Sequence, residues 1–236
     1  MNEITTILFF SWLAGITAFL GGVISHYEQT IESKNKDEFV HGVMAFGGGI
    51  LVAAVAFSLA PEAMNTLSPL LLCITFLGGG MTFGLIDRYL SSKGDSKAQF
   101  LAMIMDFVPE ALAMGALFSK DRKAATLLAV FIAAQNFPEG FNSFREMTTD
   151  KVTPKKTLII LLIISLLGPA AAILGYYLLV ELHYITASIM SFAAGGILYL
   201  VFQDIAPKSS LKTHFTPSIG AVIGFLLGMI GQQILG

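Results

Sequence analysis

The sequence predicts an all-α membrane protein of eight transmembrane helices. Three observations predict it: too little charge to coat a soluble chain, an apolar excess throughout, and apolar stretches that recur at one length. Only 13% of the 236 residues are Asp, Glu, Lys or Arg, while 55% are hydrophobic and mean hydropathy is +0.74. A chain of this size could bury a core in water, but it would need a charged exterior, so its solvent is mostly lipid. The 23 glycines and 10 methionines suit close packing and flexible filling between apolar helices.

A spanning helix needs roughly 20 mostly apolar residues, and that length divides the chain into segments at 4–24, 39–60, 67–90, 99–118, 124–147, 156–180, 185–203 and 216–235. The first has no basic residue before it and is too long for a signal h-region, so it is expected to be a retained helix. The stretch 25–38 is polar with an acidic excess and is expected to be a solvated loop. The second segment carries Gly47-Gly-Gly49 and ends near Pro61-Glu62; the third carries Gly78-Gly-Gly80 and ends at Asp87-Arg88. The fourth and fifth follow after short polar connections, each with acids in its interior. The sixth to eighth complete the set, the seventh bearing Gly195-Gly196 and Asp204. These glycines are expected to be close-packing sites, since none follows a strand as a phosphate loop would. No separate soluble unit fits, and residues 1–236 are read as a single transmembrane domain.

Lys and Arg gather in cytoplasmic loops. The connections after the first, third, fifth and seventh segments hold Lys34, Lys36, Arg88, Lys93, Lys97, Arg145, Lys151, Lys155, Lys156, Lys208 and Lys212, and the other side holds only Lys120, Arg122 and Lys123. Both termini are therefore expected on the non-cytoplasmic side of a multi-pass cell-membrane protein. A weak repeat supports the topology: Phe46 to Pro61 aligns on Phe192 to Pro207 at an offset of 146 without gaps, with five identities in sixteen positions. The second and seventh helices would run in opposite directions, as an inverted repeat requires. The fourth and fifth would then lie at the centre of a 3+2+3 inverted-repeat arrangement.

Charge and cysteine usage exclude some functions. Fourteen basic against sixteen acidic residues give a net charge of -2, which offers no nucleic-acid surface. Cys73 is the only cysteine, so neither an internal disulfide nor a thiolate-rich zinc site is available.

The chemistry concentrates in the fourth and fifth segments, which share polar-x-x-Pro-Glu: Asp106-Phe-Val-Pro-Glu110 and Gln135-Asn-Phe-Pro-Glu139. In each the first polar residue and the Glu stand four apart, on one helix face. The proline between them removes a backbone donor and is expected to open the helix locally, where a freed carbonyl could meet a cation. A carboxylate at bilayer depth costs about 2.5–3.5 kcal/mol, yet Asp106, Glu110 and Glu139 all lie well inside apolar segments. No intramembrane Lys or Arg is available to neutralise them, which leaves a bound cation or protonation, and both are transport chemistry. The competing reading makes Gln135 and Asn136 interhelical glue and Asp204 a hydrated interfacial acid. His26, His41, His183 and His214 all fall at or near connections.

Gln135-Asn-Phe-Pro-Glu-Gly140 resembles the signature of the ZIP (Zrt-, Irt-like) metal transporters, whose usual form is His-Asn-x-Pro-Glu-Gly. Ala194-Gly-Gly-Ile-Leu-Tyr199 followed by Asp204-Ile-Ala-Pro207 resembles that family's Gly-rich seventh helix with an acid before proline. The resemblance covers essentially the whole chain. It implies a divalent metal ion (zinc, iron or manganese) as transported substrate, no organic cofactor, and no enzymatic activity. By position, Asp106, Glu110, Gln135 and Glu139 would hold one ion, and Glu110, Asn136, Glu139 and Asp204 a neighbouring one. The chain departs from the pattern where Asp106 replaces the usual His, Phe107 replaces a polar Asn or Asp, and Leu51 occupies a position where some members place a ligand. The implied mechanism is alternating access that moves metal inward, with the lipid bilayer and a second copy of the chain as further partners. The rival readings are a non-transporting membrane metal sensor and an intramembrane hydrolase using Asp106 and Glu139. The hydrolase lacks a supporting His-Glu-x-x-His or paired-aspartate motif.

Overall fold

A computed structural model describes residues 2–32, 34–92, 98–149, 152–211 and 214–235. Four of the basic residues used for the charge count, Lys93, Lys97, Lys151 and Lys212, lie outside the described residues. The described chain is almost wholly helical, with one isolated bridge between Leu211 and His214. It forms eight helical rods: α1 (Glu3–Thr30), α2 (Lys36–Thr66), α3 (Pro69–Ser92), α4 (Ala98–Leu117), α5 (Arg122–Thr149), α6 (Pro154–Leu179), α7 (His183–Ser209) and α8 (Thr216–Leu235).

Six of these, α1, α2, α3, α6, α7 and α8, are long and apolar enough to cross a membrane. The remaining two, α4 and α5, carry Asp106, Glu110 and Glu139. Helix α5 does not need an apolar surface, because protein rather than lipid surrounds it: Leu128, Ile132, Gln135, Asn136, Phe141, Ser143 and Phe144 are all buried, and α1, α2, α4 and α8 pack on it.

Several helices outrun the apolar segments. Helix α1 continues to Thr30, so most of the expected loop at 25–38 is helical and the connection shrinks to 31–35. Partners for its polar end explain the extension. The buried Glu28 carboxylate pairs with Arg145 of α5 and lies 3.5 Å from Lys36 Nζ, and Gln29 Nε2 donates to Thr148 Oγ1 at 3.3 Å. At the other end Asn2 Oδ1 accepts from Thr5 N–H at 2.8 Å, an N-cap.

The prolines act differently from expectation. Helices α4 and α5 run without interruption through Pro109 and Pro138, which corrects the expected local opening there. The openings lie instead in α2 and α7, as π-helical turns at Val55–Leu59 and Val201–Ile205. In these turns Ala60 N–H reaches back to Val55 O and Ala206 N–H to Val201 O. Pro61 and Pro207 follow immediately, and each lacks the N–H that would continue the ordinary ladder, so a wider turn relieves the ring. Both turns and both prolines obey the repeat offset of 146.

Helices pair by small residues, as in many membrane bundles. A Cβ on Gly140 of α5 would collide with the Ala18 carbonyl of α1, and one on Gly21 with the Phe137 carbonyl. Gly49 seats α8 against α2 at Ala221, and Gly195 seats α3 against α7 at Phe76. The dominant pairings are α1 with α5, α4 with α6, α2 with α8 and α3 with α7.

Candidate metal centre

Asp106, Glu110, Gln135, Asn136 and Glu139 are all buried, none more than 6% exposed. Helix α4 supplies Asp106 and Glu110 one turn apart, and α5 supplies Gln135 and Glu139 one turn apart, so the face-to-face packing of α4 on α5 brings four side chains together. Gln135 Nε2 donates to Glu110 Oε2 at 2.5 Å. The Asp106 and Glu139 carboxyls approach closely enough to share a hydrogen bond, and Asp106 Oδ1 accepts from Phe107 N–H at 2.7 Å. The cluster is thus two cross-helix pairs. Among the described residues no three His, Cys, Asp or Glu side chains converge tightly enough to enclose an ion in this arrangement.

The site's electrostatics are one-sided. None of the ion pairs among the described residues involves Asp106, Glu110 or Glu139. Four buried oxygens also lack a hydrogen-bond donor: Glu110 Oε1, Gln135 Oε1, Asn136 Oδ1 and Glu139 Oε2. Buried polar atoms in native proteins are nearly always satisfied, and these four lie on adjacent helices.

Two of the six candidate residues stand apart. Asn136 turns toward α1, its Nδ2 donating to Ala14 O at 3.0 Å. Asp204 sits in the π turn of α7 and carries an ion pair, Lys208 Nζ to Oδ1 at 2.5 Å. It nevertheless shares with Asp106 and Glu139 a cavity of about 20 Å³, also lined by Leu51, Met103, Ile197, Leu200 and Ile205. That volume admits about one water-sized particle.

The departures from the family pattern have structural counterparts. Leu51 lines the small cavity as part of its apolar wall. Phe107 points elsewhere: its ring fills the contact beside Gly15 of α1 and Gly168 of α6, so its identity is set by packing. Two polar residues beside the candidate ligands escaped the sequence reading. Ser143, wholly buried with an unpartnered Oγ, continues the Gln135–Glu139 face by four more residues, a spacing visible in the sequence. Lys208 stands four residues after Asp204, and only the helical continuation past 203 reveals the pairing.

Comparison with known proteins adds one match. No curated protein matches the chain. The family model for the ZIP zinc transporter matches residues 98–235, which is α4 through α8 and more than half of the sequence. Both helices of the carboxylate cluster and the whole of α7 fall within it. The chain therefore belongs to the ZIP zinc transporter family, a family of divalent-metal transporters rather than enzymes.

Proposed function

We propose that this protein carries divalent metal ions into the cytoplasm by alternating access through the carboxylate cluster of α4 and α5. The observation that carries this reading is the set of four unpartnered buried oxygens on Glu110, Gln135, Asn136 and Glu139. Oxygens without donors, next to carboxylates without counter-cations, suit a divalent cation better than any protein group nearby. Binding would draw the two cross-helix pairs together: Gln135 turns its Oε1 in place of its Nε2, and Asp106, Glu110 and Glu139 face the ion. Asp204 then serves a neighbouring position through the small cavity, with the unpartnered Oδ1 of Asn136 as a further ligand there. Ligands must be deprotonated, so metal affinity falls on acidification.

Helix pairings support the moving parts. One body comprises α1, α4, α5 and α6, whose members pack on one another, and the other comprises α2, α3, α7 and α8. The two π turns at one repeat offset support a 3+2+3 inverted repeat, with all eight helices forming one transport unit. The charge bias of the connections supports non-cytoplasmic termini. The two most exposed spans, α3 and α8, offer surfaces to lipid or a second copy of the chain.

Every proposed ligand atom is oxygen, which suits harder ions, whereas imidazole suits zinc, copper and nickel. Selectivity is thereby tilted toward manganese and ferrous iron relative to a His-containing relative, with zinc still a substrate. Uptake of each ion into proteoliposomes tests the reading. Wild-type protein should accumulate metal, and Glu110→Gln and Glu139→Gln should each abolish it while expressing normally. Full uptake in both variants would remove the site from α4 and α5.

A further inference from the structure

The carboxylate cluster has a one-sided charge, but the cavity it shares with α7 does not. Asp204 lines that cavity together with Asp106 and Glu139, and it also meets Lys208, whose Nζ lies 2.5 Å from Oδ1. The two side chains differ in surroundings: Asp204 is 20% exposed and Lys208 is 49% exposed. The ammonium therefore reaches in from the solvated end of α7, while the carboxylate bridges that end and the cavity. The register of the pair follows from the fold. The π turn at Val201–Ile205 inserts an extra residue before Pro207 and re-aims Asp204, and helix resumes at Ala206–Ser209 to carry Lys208. Among the described residues the ion pair of Lys208 is with Asp204. Asp87 of α3 accepts from Tyr199 Oη at 3.1 Å, and Asp106 and Glu139 face each other.

We propose that Lys208 is a tethered competitor for the transported cation at Asp204. Metal held by Asp106 and Glu139 would recruit Asp204 only by displacing the ammonium, and the returning ammonium would expel the metal toward the end of the bundle where α7 terminates. A divalent cation and a lysine cannot share one carboxylate without repulsion, so the two alternate. The consequence is a trade between affinity and release, set by one flexible side chain. This proposal rests on the carboxylate cluster being the transport site.

The test is zinc uptake by the full-length protein in proteoliposomes, with KM and maximal rate measured separately. In Lys208→Gln the competitor is gone: KM should fall by roughly two- to fivefold, the scale of a half-exposed ion pair, and maximal rate should fall with it as release slows. Lys208→Arg keeps a competing cation and should stay within about twofold of wild type on both parameters. In an Asp204→Asn background, Lys208→Gln should change neither parameter, because the lysine acts through that carboxylate. An unchanged or raised KM in Lys208→Gln, or an equal effect of Lys208→Gln in the presence and absence of Asp204, overturns the proposal. Glu139→Gln is measured alongside: retained uptake there overturns the transport site itself, whereas abolished uptake with an unchanged KM in Lys208→Gln refutes only the competitor.

Discussion

Glu139→Gln should stabilise the metal-free protein while destroying its transport. The Glu139 side chain is 6% exposed, its Oε2 has no donor, and the Asp106 and Glu110 carboxylates are its electrostatic neighbours. A buried acid costs about 2.5–3.5 kcal/mol at membrane depth, and the replacing amide still costs about 1–2 kcal/mol, so roughly 1–2 kcal/mol of strain is relieved. For a chain of this length that corresponds to a rise in Tm of roughly 2–8 °C. The assay is thermal unfolding in detergent, first in chelator and then with saturating metal. Metal at a hundred times its Kd should stabilise the wild type by about 2.7 kcal/mol, and most of that increment should vanish in Glu139→Gln. A variant that melts below wild type in chelator would make Glu139 a structural tie between helices. A variant that keeps the full metal-induced rise would show that the ion binds elsewhere. Either result refutes the reasoning.

Other expectations follow from single features. Asp106→His should raise the zinc-to-manganese ratio in competitive uptake, because it returns a nitrogen ligand to an all-oxygen set; a flat ratio would mean that position 106 is not a ligand. Thr149→Cys should be protected from an impermeant thiol reagent in intact cells, since the exposed end of α5 is read as cytoplasmic; labelling from outside would invert the orientation and the transport direction. Gly140→Val should cost about 1–3 kcal/mol, because its Cβ would meet the Ala18 carbonyl of α1, and this should read as reduced Tm and yield; wild-type Tm would show that α1 and α5 are not packed as described.

Sequence reasoning identified the acids by an energetic contradiction, without geometry. Asp106, Glu110 and Glu139 stand in segments whose other residues demand lipid or protein interior, and three carboxylates there need a cation or a proton. The shared spacing of four placed each pair on one helix face before any fold was known. The repeat was also legible, since identities at one offset survive wherever the backbone must do the same thing twice, as at Pro61 and Pro207.

What only the tertiary structure decided is where irregularity and partnership fall. Proline in a sequence announces a missing donor, but whether the helix opens depends on the surrounding packing: Pro138 sits against Gly47 within an unbroken α5, whereas Pro61 and Pro207 follow π turns. Helix ends were misjudged for a related reason. An apolar ruler stops at Ile24 and at Val201-Phe-Gln203, yet α1 and α7 continue because Glu28 finds Arg145 and Lys36 and Asp204 finds Lys208. Arg145 lies 117 residues from Glu28, and no local pattern encodes such a meeting. By itself the sequence determined that acids stand inside apolar segments, since composition and period are properties of the chain. The pairing of Gln135 with Glu110, Asp106 with Glu139 and Asn136 with Ala14 was settled only when α1, α4 and α5 packed, because a side chain's hydrogen-bond partner depends on which helix lies opposite it.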